Sequence, residues 1–280
     1  MKLSQRIIGI ALSVAFLMVP AGVLAQGDDL EAAMDLIAAG EIEAAVTILE
    51  PLAEAGDPEA QYRLGDVFWQ ADGELFDAVE AARLFTLAAE AGLAEAQNAL
   101  AILYLRGIGV ELDQVQGAHW QAVAAEQGYL PAQVGIGLRY LKGEGVELDV
   151  QIARDWFEIA VEQGDPAAAY QLGLIYANGV GVEQDFAVAL EWTQMAADEG
   201  FVAGHYNLGI AFVLGQGTDL DAPQALFHFA IAYLLSGQNS SGPLYAVVQD
   251  VAGQVTAEER QQRLEAAEDW VAQFLTNAEE

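Results

Sequence analysis

Hydrophobic positions along this chain follow a helical beat that is interrupted and restarted on a fixed schedule. In residues 93–128, Ala96, Leu100, Leu103 and Tyr104 recur at helical spacing and predict a first helix, A. Arg106-Gly107-Ile108-Gly109-Val110 breaks it, with Gly107 placed to close the helix in the left-handed conformation that glycine adopts at least cost. Asp113 is positioned to cap a second helix, B, which carries Trp120, Val123 and Ala124 and ends at Gly128. Two antiparallel helices on a short loop share one buried face, yet one pair is too small to make a core.

The same pattern recurs every 36 residues. Gly56, Gly92, Gly128, Gly164 and Gly200 keep this period, as do Gly73, Gly109, Gly145, Gly181 and Gly217, and Asp77, Asp113, Asp149, Asp185 and Asp221. Small residues recur at Ala60, Ala96, Ala132, Ala168 and Gly204. A Leu/Ile-Gly step recurs at residues 64–65, 136–137, 172–173 and 208–209. Phe68, Tyr104, Tyr140, Tyr176 and Phe212 form one aromatic column; Trp120, Trp156 and Trp192 form another, with Leu84 and His228 in the same slot at the ends. A period of this length marks stacked repeats. The expected fold is all-α, a right-handed α-solenoid of antiparallel helix pairs whose turns centre on the second glycine set. Five repeats span 57–236. Residues 26–56 read as a degenerate capping pair and 237–280 as C-terminal capping helices. Pro243 opens one of these, and the capping box Thr256-x-x-Glu259 opens the other, with Leu264, Ala267, Trp270, Val271 and Phe274 inward.

The phased run of Leu-Gly, aromatic, Gly-x-Gly-Val, Asp, Ala, Trp and Ala-Ala resembles the Sel1-like repeat, a relative of the tetratricopeptide repeat. Residues 167–200 carry the pattern most completely. The resemblance implies an adaptor that holds other proteins. Some family members modify cell walls or bind β-lactams, but those are rich in paired cysteines, and this chain has none.

The first 25 residues change the expected location. Lys2 and Arg6 precede an apolar run from Ile7 to Val19, and Val23-Leu24-Ala25 fits a cleavage site. Residues 1–25 therefore read as a secretory signal peptide, which implies a periplasmic or secreted protein with no stable membrane span after cleavage. Beyond Ala25 there remain eight basic residues against 42 acidic ones, a formal charge of −34. That field repels nucleic acid and anionic lipid.

Candidate chemistry is sparse. The three histidines occupy different repeat phases: His119 with Asp155 and Glu191, His205 with Gln61, Gln97 and Gln133, and His228 in the tryptophan slot. No spaced set of metal ligands is present, and no nucleophile elbow or phosphate loop. No metal, cofactor or catalytic residue is expected. The acidic pairs beside each B-helix cap, such as Glu111 with Asp113, read as caps plus solvated carboxylates.

The expected function is a non-catalytic protein–protein interaction scaffold, with a protein or peptide partner in the cell envelope. The alternatives are an enzyme-like module acting on peptidoglycan or β-lactams, and an acidic structural or cation-buffering protein. The candidate partner-binding residues lie on the A helices: Tyr62 and Trp69; Ile102, Leu105 and Arg106; Leu138, Arg139, Leu141 and Lys142; Tyr170 and Leu174; Tyr206 and Ile210. Tyr62, Trp69 and Tyr170 would anchor a bound segment, and Arg106 with Lys142 would clamp its charge. The competing reading places the same apolar stripe in the inter-helix core and pairs its cations with nearby acids.

The charge leads to a measurable expectation. Self-repulsion at −34 weakens the folded state, and salt screens it. The melting temperature should rise from low to moderate NaCl, with calcium no more effective than magnesium at equal ionic strength; a flat or falling curve removes the argument.

Overall fold

The computed structural model describes residues 21–70, 76–237 and 242–278. Among them there are fourteen α-helices and no strand. The chain divides into two compact units after Ala88. The expected turn at Gly73 and the signal segment up to residue 20 lie outside the described residues.

The first unit holds α1 (Ala21–Ala38), α2 (Ile42–Glu54), α3 (Pro58–Gln70) and most of α4 (Ala78–Glu90). Helix α1 thus runs through Ala25, the expected cleavage point. Gly40 turns the chain between α1 and α2 at φ +79°. Ala33, Leu49, Leu52, Ala60, Leu64 and Leu84 form the core of this unit.

The second unit holds four helix pairs: α5 (Ala94–Arg106) with α6 (Gln114–Glu126), α7 (Leu130–Lys142) with α8 (Val150–Glu162), α9 (Pro166–Asn178) with α10 (Phe186–Asp198), and α11 (Val202–Leu214) with α12 (Ala222–Leu235). Two further helices, α13 (Pro243–Ala252) and α14 (Ala257–Ala278), close the chain and pack on α12.

Each pair is built by the same local chemistry. Gly107, Gly143, Gly179 and Gly215 end the A helices in the left-handed conformation, at φ +64° to +70°. Asp113, Asp149, Asp185 and Asp221 then cap the B helices, the first three carboxylates each accepting from two backbone N–H groups of the first turn and Asp221 from that of Gln224. The same aspartates donate their own N–H to the carbonyls of Tyr104, Tyr140, Tyr176 and Phe212, at 2.9–3.0 Å. The aromatic column therefore anchors the loop through its backbone as well as its rings. Those rings are half-buried, and Tyr140 packs against the clusters of two successive pairs. The tryptophans are likewise half-buried, whereas Leu84 and His228 in their slot are buried.

The second loop glycine stacks one pair on the next. A Cβ on Gly145 would lie 2.0 Å from the Gln114 carbonyl oxygen, and one on Gly217 would lie 2.2 Å from that of Phe186. Each loop is seated on the first turn of the preceding B helix, leaving room for hydrogen alone.

A column of buried glutamines ties pairs together. The amides of Gln97 and Gln133 donate to the carbonyls of Ala89 and Ala125 in the B helix before them. Gln127 and Gln163 donate in turn to Gln97 and Gln133, both at 2.6 Å. At the next polar occurrence of this phase stands His205. Its Nδ1 lies 3.1 Å from Nδ1 of His228, so only one proton fits between them. The edge of His205 meets Trp270 of α14, and Phe212 stacks on His228. The expected capping box is formed: Glu259 accepts from the N–H and hydroxyl of Thr256, and its own N–H donates to the Thr256 oxygen.

Two predictions follow from this packing. A methyl group at Gly137 would fall 2.7 Å from the buried Phe157 ring. Gly137→Ala should therefore cost roughly 1–3 kcal/mol of unfolding free energy in denaturant titration, despite alanine's higher helix propensity. A neutral or stabilising result would show that the helices separate freely.

The histidine pair sets the second. Burial lowers the pKa of His205, opposed by Asp198 and the Ala197 carbonyl. Burial also lowers that of His228, reinforced by His205 and by Arg263 of α14. Folded values below the ordinary 6.5 mean that the unfolded chain takes up protons first. The contribution is unaffected above pH 6.5, and stability is lost as pH falls below it, by up to about 1.4 kcal/mol per pH unit for each ring. Acidification also relieves carboxylate repulsion, so the measurement must be a difference. His205→Gln with His228→Trp restores the residues usual at these phases. This variant should gain stability relative to the parent between pH 7 and pH 5, and parallel pH profiles would contradict the assignment.

Candidate functional site

The A helices α5, α7, α9 and α11 each present one half-buried aliphatic residue at the same phase: Ile102, Leu138, Leu174 and Ile210. Arg106 and Lys142 stand four residues after Ile102 and Leu138, which puts each on the same helix face as its aliphatic neighbour. Both cations are exposed and make no ion pair among the described residues. They occupy the last turn of α5 and α7, where a positive charge also favours the unsatisfied carbonyl end of the helix.

The other candidate residues divide. Leu105 rests on Gly117 of α6, so closely that a Cβ there would lie 2.5 Å from it. Leu138 and Leu141 pack against the cluster around Phe157 and Leu172. These leucines are partly core, as the competing reading of the stripe expects. Arg139 is half-buried and ion-paired with Glu144 of the following loop. Its position is that of the buried Leu103 and Ile175, so the ion pair accompanies a charge set into an apolar slot.

Tyr170 meets the Phe201 ring at 5.3 Å between centroids, and Tyr206 meets Phe229 at 5.5 Å. Tyr206 is exposed and borders an apolar hollow of about 600 Å³ between α11 and α13, walled by Phe201, Val202, Leu244 and Val247. In the first unit, Tyr62 and Trp69 pack on the ring of Phe85, at 5.8 Å and 6.0 Å. Both retain partial exposure.

One arginine that the sequence reading passed over is placed with care. Arg154 donates to the Tyr176 hydroxyl at 2.8 Å, lies over that ring at 5.2 Å and pairs with Glu158. It stands where other repeats carry Ala118 or Leu190, and that substitution was the available signal. Among the described residues, no group of three or more His, Cys, Asp or Glu is placed to hold a metal ion. No described helix is long and apolar enough to cross a membrane.

The repeat fold recurs in known proteins. The Sel1 repeat profile matches residues 58–93, 94–129, 130–165, 166–201 and 202–236. The crystal structure of a Sel1 repeat protein from Oxalobacter formigenes is similar at 28% identity and a TM-score of 0.71, covering 86% of this chain and 96% of that one. The structure of c5321, described as a protective antigen present in uropathogenic Escherichia coli strains displaying an SLR fold, is similar at 28% identity and a TM-score of 0.70; the match covers 89% of this chain and 56% of that one. No curated protein matches the sequence. With five consecutive repeats matched over more than half its length, the chain belongs to the Sel1 repeat family.

Proposed function

We propose that this protein is a non-catalytic scaffold of the bacterial cell envelope, exported by its N-terminal segment, that holds a partner segment along the A helices. Sel1 repeats in general serve protein–protein interaction. The observation that carries the reading here is the row Ile102, Leu138, Leu174 and Ile210. It offers one half-exposed aliphatic group in each of the last four repeats, where the first has Asp66, on a chain otherwise crowded with carboxylates. Repeated apolar contacts of this kind suit an extended or helical segment, which meets each repeat in turn.

Arg106 and Lys142 give the row polarity. Of the eight basic residues beyond Ala25, Arg63, Arg83, Arg139 and Arg154 are held in ion pairs. Arg106, Lys142, Arg260 and Arg263 have no ion pair among the described residues, and of these Arg106 and Lys142 flank the row at one repeat's separation. A carboxylate-bearing partner segment would gain two charge-assisted contacts there. Elsewhere it would meet repulsion, so the two cations would set its register and direction.

The test is cross-linked capture of partners from envelope extract by the chain lacking its first 25 residues. Arg106→Glu with Lys142→Glu should reduce capture at least tenfold while leaving the thermal unfolding profile within a few degrees of the parent. Undiminished capture by the folded double variant would remove the clamp. Loss of the fold would assign these side chains to helix termination.

A further inference from the structure

The B helices set one side chain at a fixed phase against the A helix of their own pair. Phe157 fills this place against Gly137, and Phe229 fills it against Gly209; a Cβ on either glycine would come within 2.7 Å of the ring. Phe85 stands the same way against Gly65. At the corresponding place in the second repeat is Gln121, whose amide reaches Gly135 of α7 and Asn98 of α5. The fourth repeat keeps the glycine, Gly173, but replaces the ring with Thr193.

Threonine does not fill a phenyl-shaped space. The Thr193 hydroxyl turns back and donates to the Ala189 carbonyl of its own helix at 2.7 Å. What remains is a cavity of about 140 Å³ between α9, α10 and α11. Its walls include Gly173 and Leu174 of α9, Asn207 and Ile210 of α11, and Gln216 of the following loop. An apolar cavity of about 150 Å³ is large enough to take up benzene. Leu174 and Ile210 are also two of the four members of the aliphatic row, so the void adjoins the surface assigned above to the partner.

We infer that this cavity receives one aromatic side chain, a tyrosine, from the partner segment. The inference rests on the scaffold reading for its partner, but on the repeat's own packing for its shape. In three sibling repeats the same space, floored by glycine backbone, holds a six-membered ring. The choice of tyrosine follows from the wall: the amides of Asn207 and Gln216 can bond a phenol hydroxyl, whereas an aliphatic tip would leave them facing methyl groups. A second copy of this chain is disfavoured as the source, because it carries the same formal charge, −32 over the full sequence.

The test uses p-cresol, the tyrosine side-chain analogue, with the full repeat chain. Ligand-observed NMR should show saturable binding to the parent, at least tenfold weaker binding to Thr193→Phe, and weaker binding of toluene than of p-cresol. Thr193→Phe should melt at or above the parent temperature, since the ring enters existing space. Thr193→Val keeps the volume and should keep p-cresol binding. Equal binding by the parent and Thr193→Phe, no saturable binding to the parent, or a lowered melting temperature in Thr193→Phe would overturn the cavity. Toluene binding as tightly as p-cresol would overturn the tyrosine. Partner capture separates this inference from the scaffold reading. If the parent captures nothing, the scaffold reading fails while the p-cresol result stands. If Thr193→Phe captures as well as the parent, the cavity is no part of the partner site.

Discussion

The packing depends on how closely a ring of one helix can approach the backbone of the other. Phe85, Phe157 and Phe229 lie against Gly65, Gly137 and Gly209 at distances that exclude a methyl group. Replacing a Cβ with hydrogen at that point lowers the local helix propensity of the A helix. It lets the pair close until a large ring is buried on both faces, and ring burial exceeds the propensity cost of about 1 kcal/mol. Once the pair is closed, the loop has no freedom. It must reverse within a few residues, and it does so through a left-handed glycine and an aspartate cap. Its second glycine then seats the loop on the pair before, so the pair geometry also dictates the stacking.

Electrostatics plays a different part. The carboxylates at the B-helix caps act locally, each replacing water at free N–H groups, and they hold their places whatever the net charge. Most other acids are solvated, and the four ion pairs among the described residues, at partly exposed sites, each contribute little. The net charge, −32 over the full sequence, governs solubility and encounter instead. In such a field two cations at the same phase of successive A helices, with no ion pair among the described residues, carry more orienting information than they would on a neutral protein.

The repeating part of this plan was legible because it rests on residues with few substitutes. Left-handed helix ends favour glycine, caps favour aspartate, and both recur at a fixed period. The column of Leu/Ile-Gly steps was also visible, but its partner was not. The facing slot reads Phe85, Gln121, Phe157, Thr193 and Phe229, which is too irregular to recognise as a column without coordinates. The glutamine ladder was hidden for another reason: Gln127 and Gln163 meet Gln97 and Gln133 across thirty residues, a separation set by stacking. On the candidate face, Ile102 and Leu138 are half-buried, and Leu138 also packs against the Phe157 cluster. Leu105 is drawn over Gly117, because a glycine on the B helix opens room that periodicity alone does not reveal.

The departures from the repeat then become informative. Arg139 and Arg154 enter slots that are apolar in sibling repeats, and each brings a carboxylate with it. His205 and His228 replace a glutamine and a tryptophan together, so the two changes satisfy each other at one hydrogen bond and are sealed by Trp270 of the terminal helix. Thr193 has no such compensation. It removes a ring without moving the glycine opposite and satisfies its own hydroxyl within its helix, and the space stays open. A packed interior favours closing a void of this size, at about 24 cal/mol for each Å³. A Cβ on Gly173 would lie 3.3 Å from the Ala189 carbonyl oxygen, much as one on Gly65 would lie 3.4 Å from that of Ala81 beside the Phe85 ring; that this approach is kept without a ring is the physical reason to treat this repeat as the one shaped for an outside side chain.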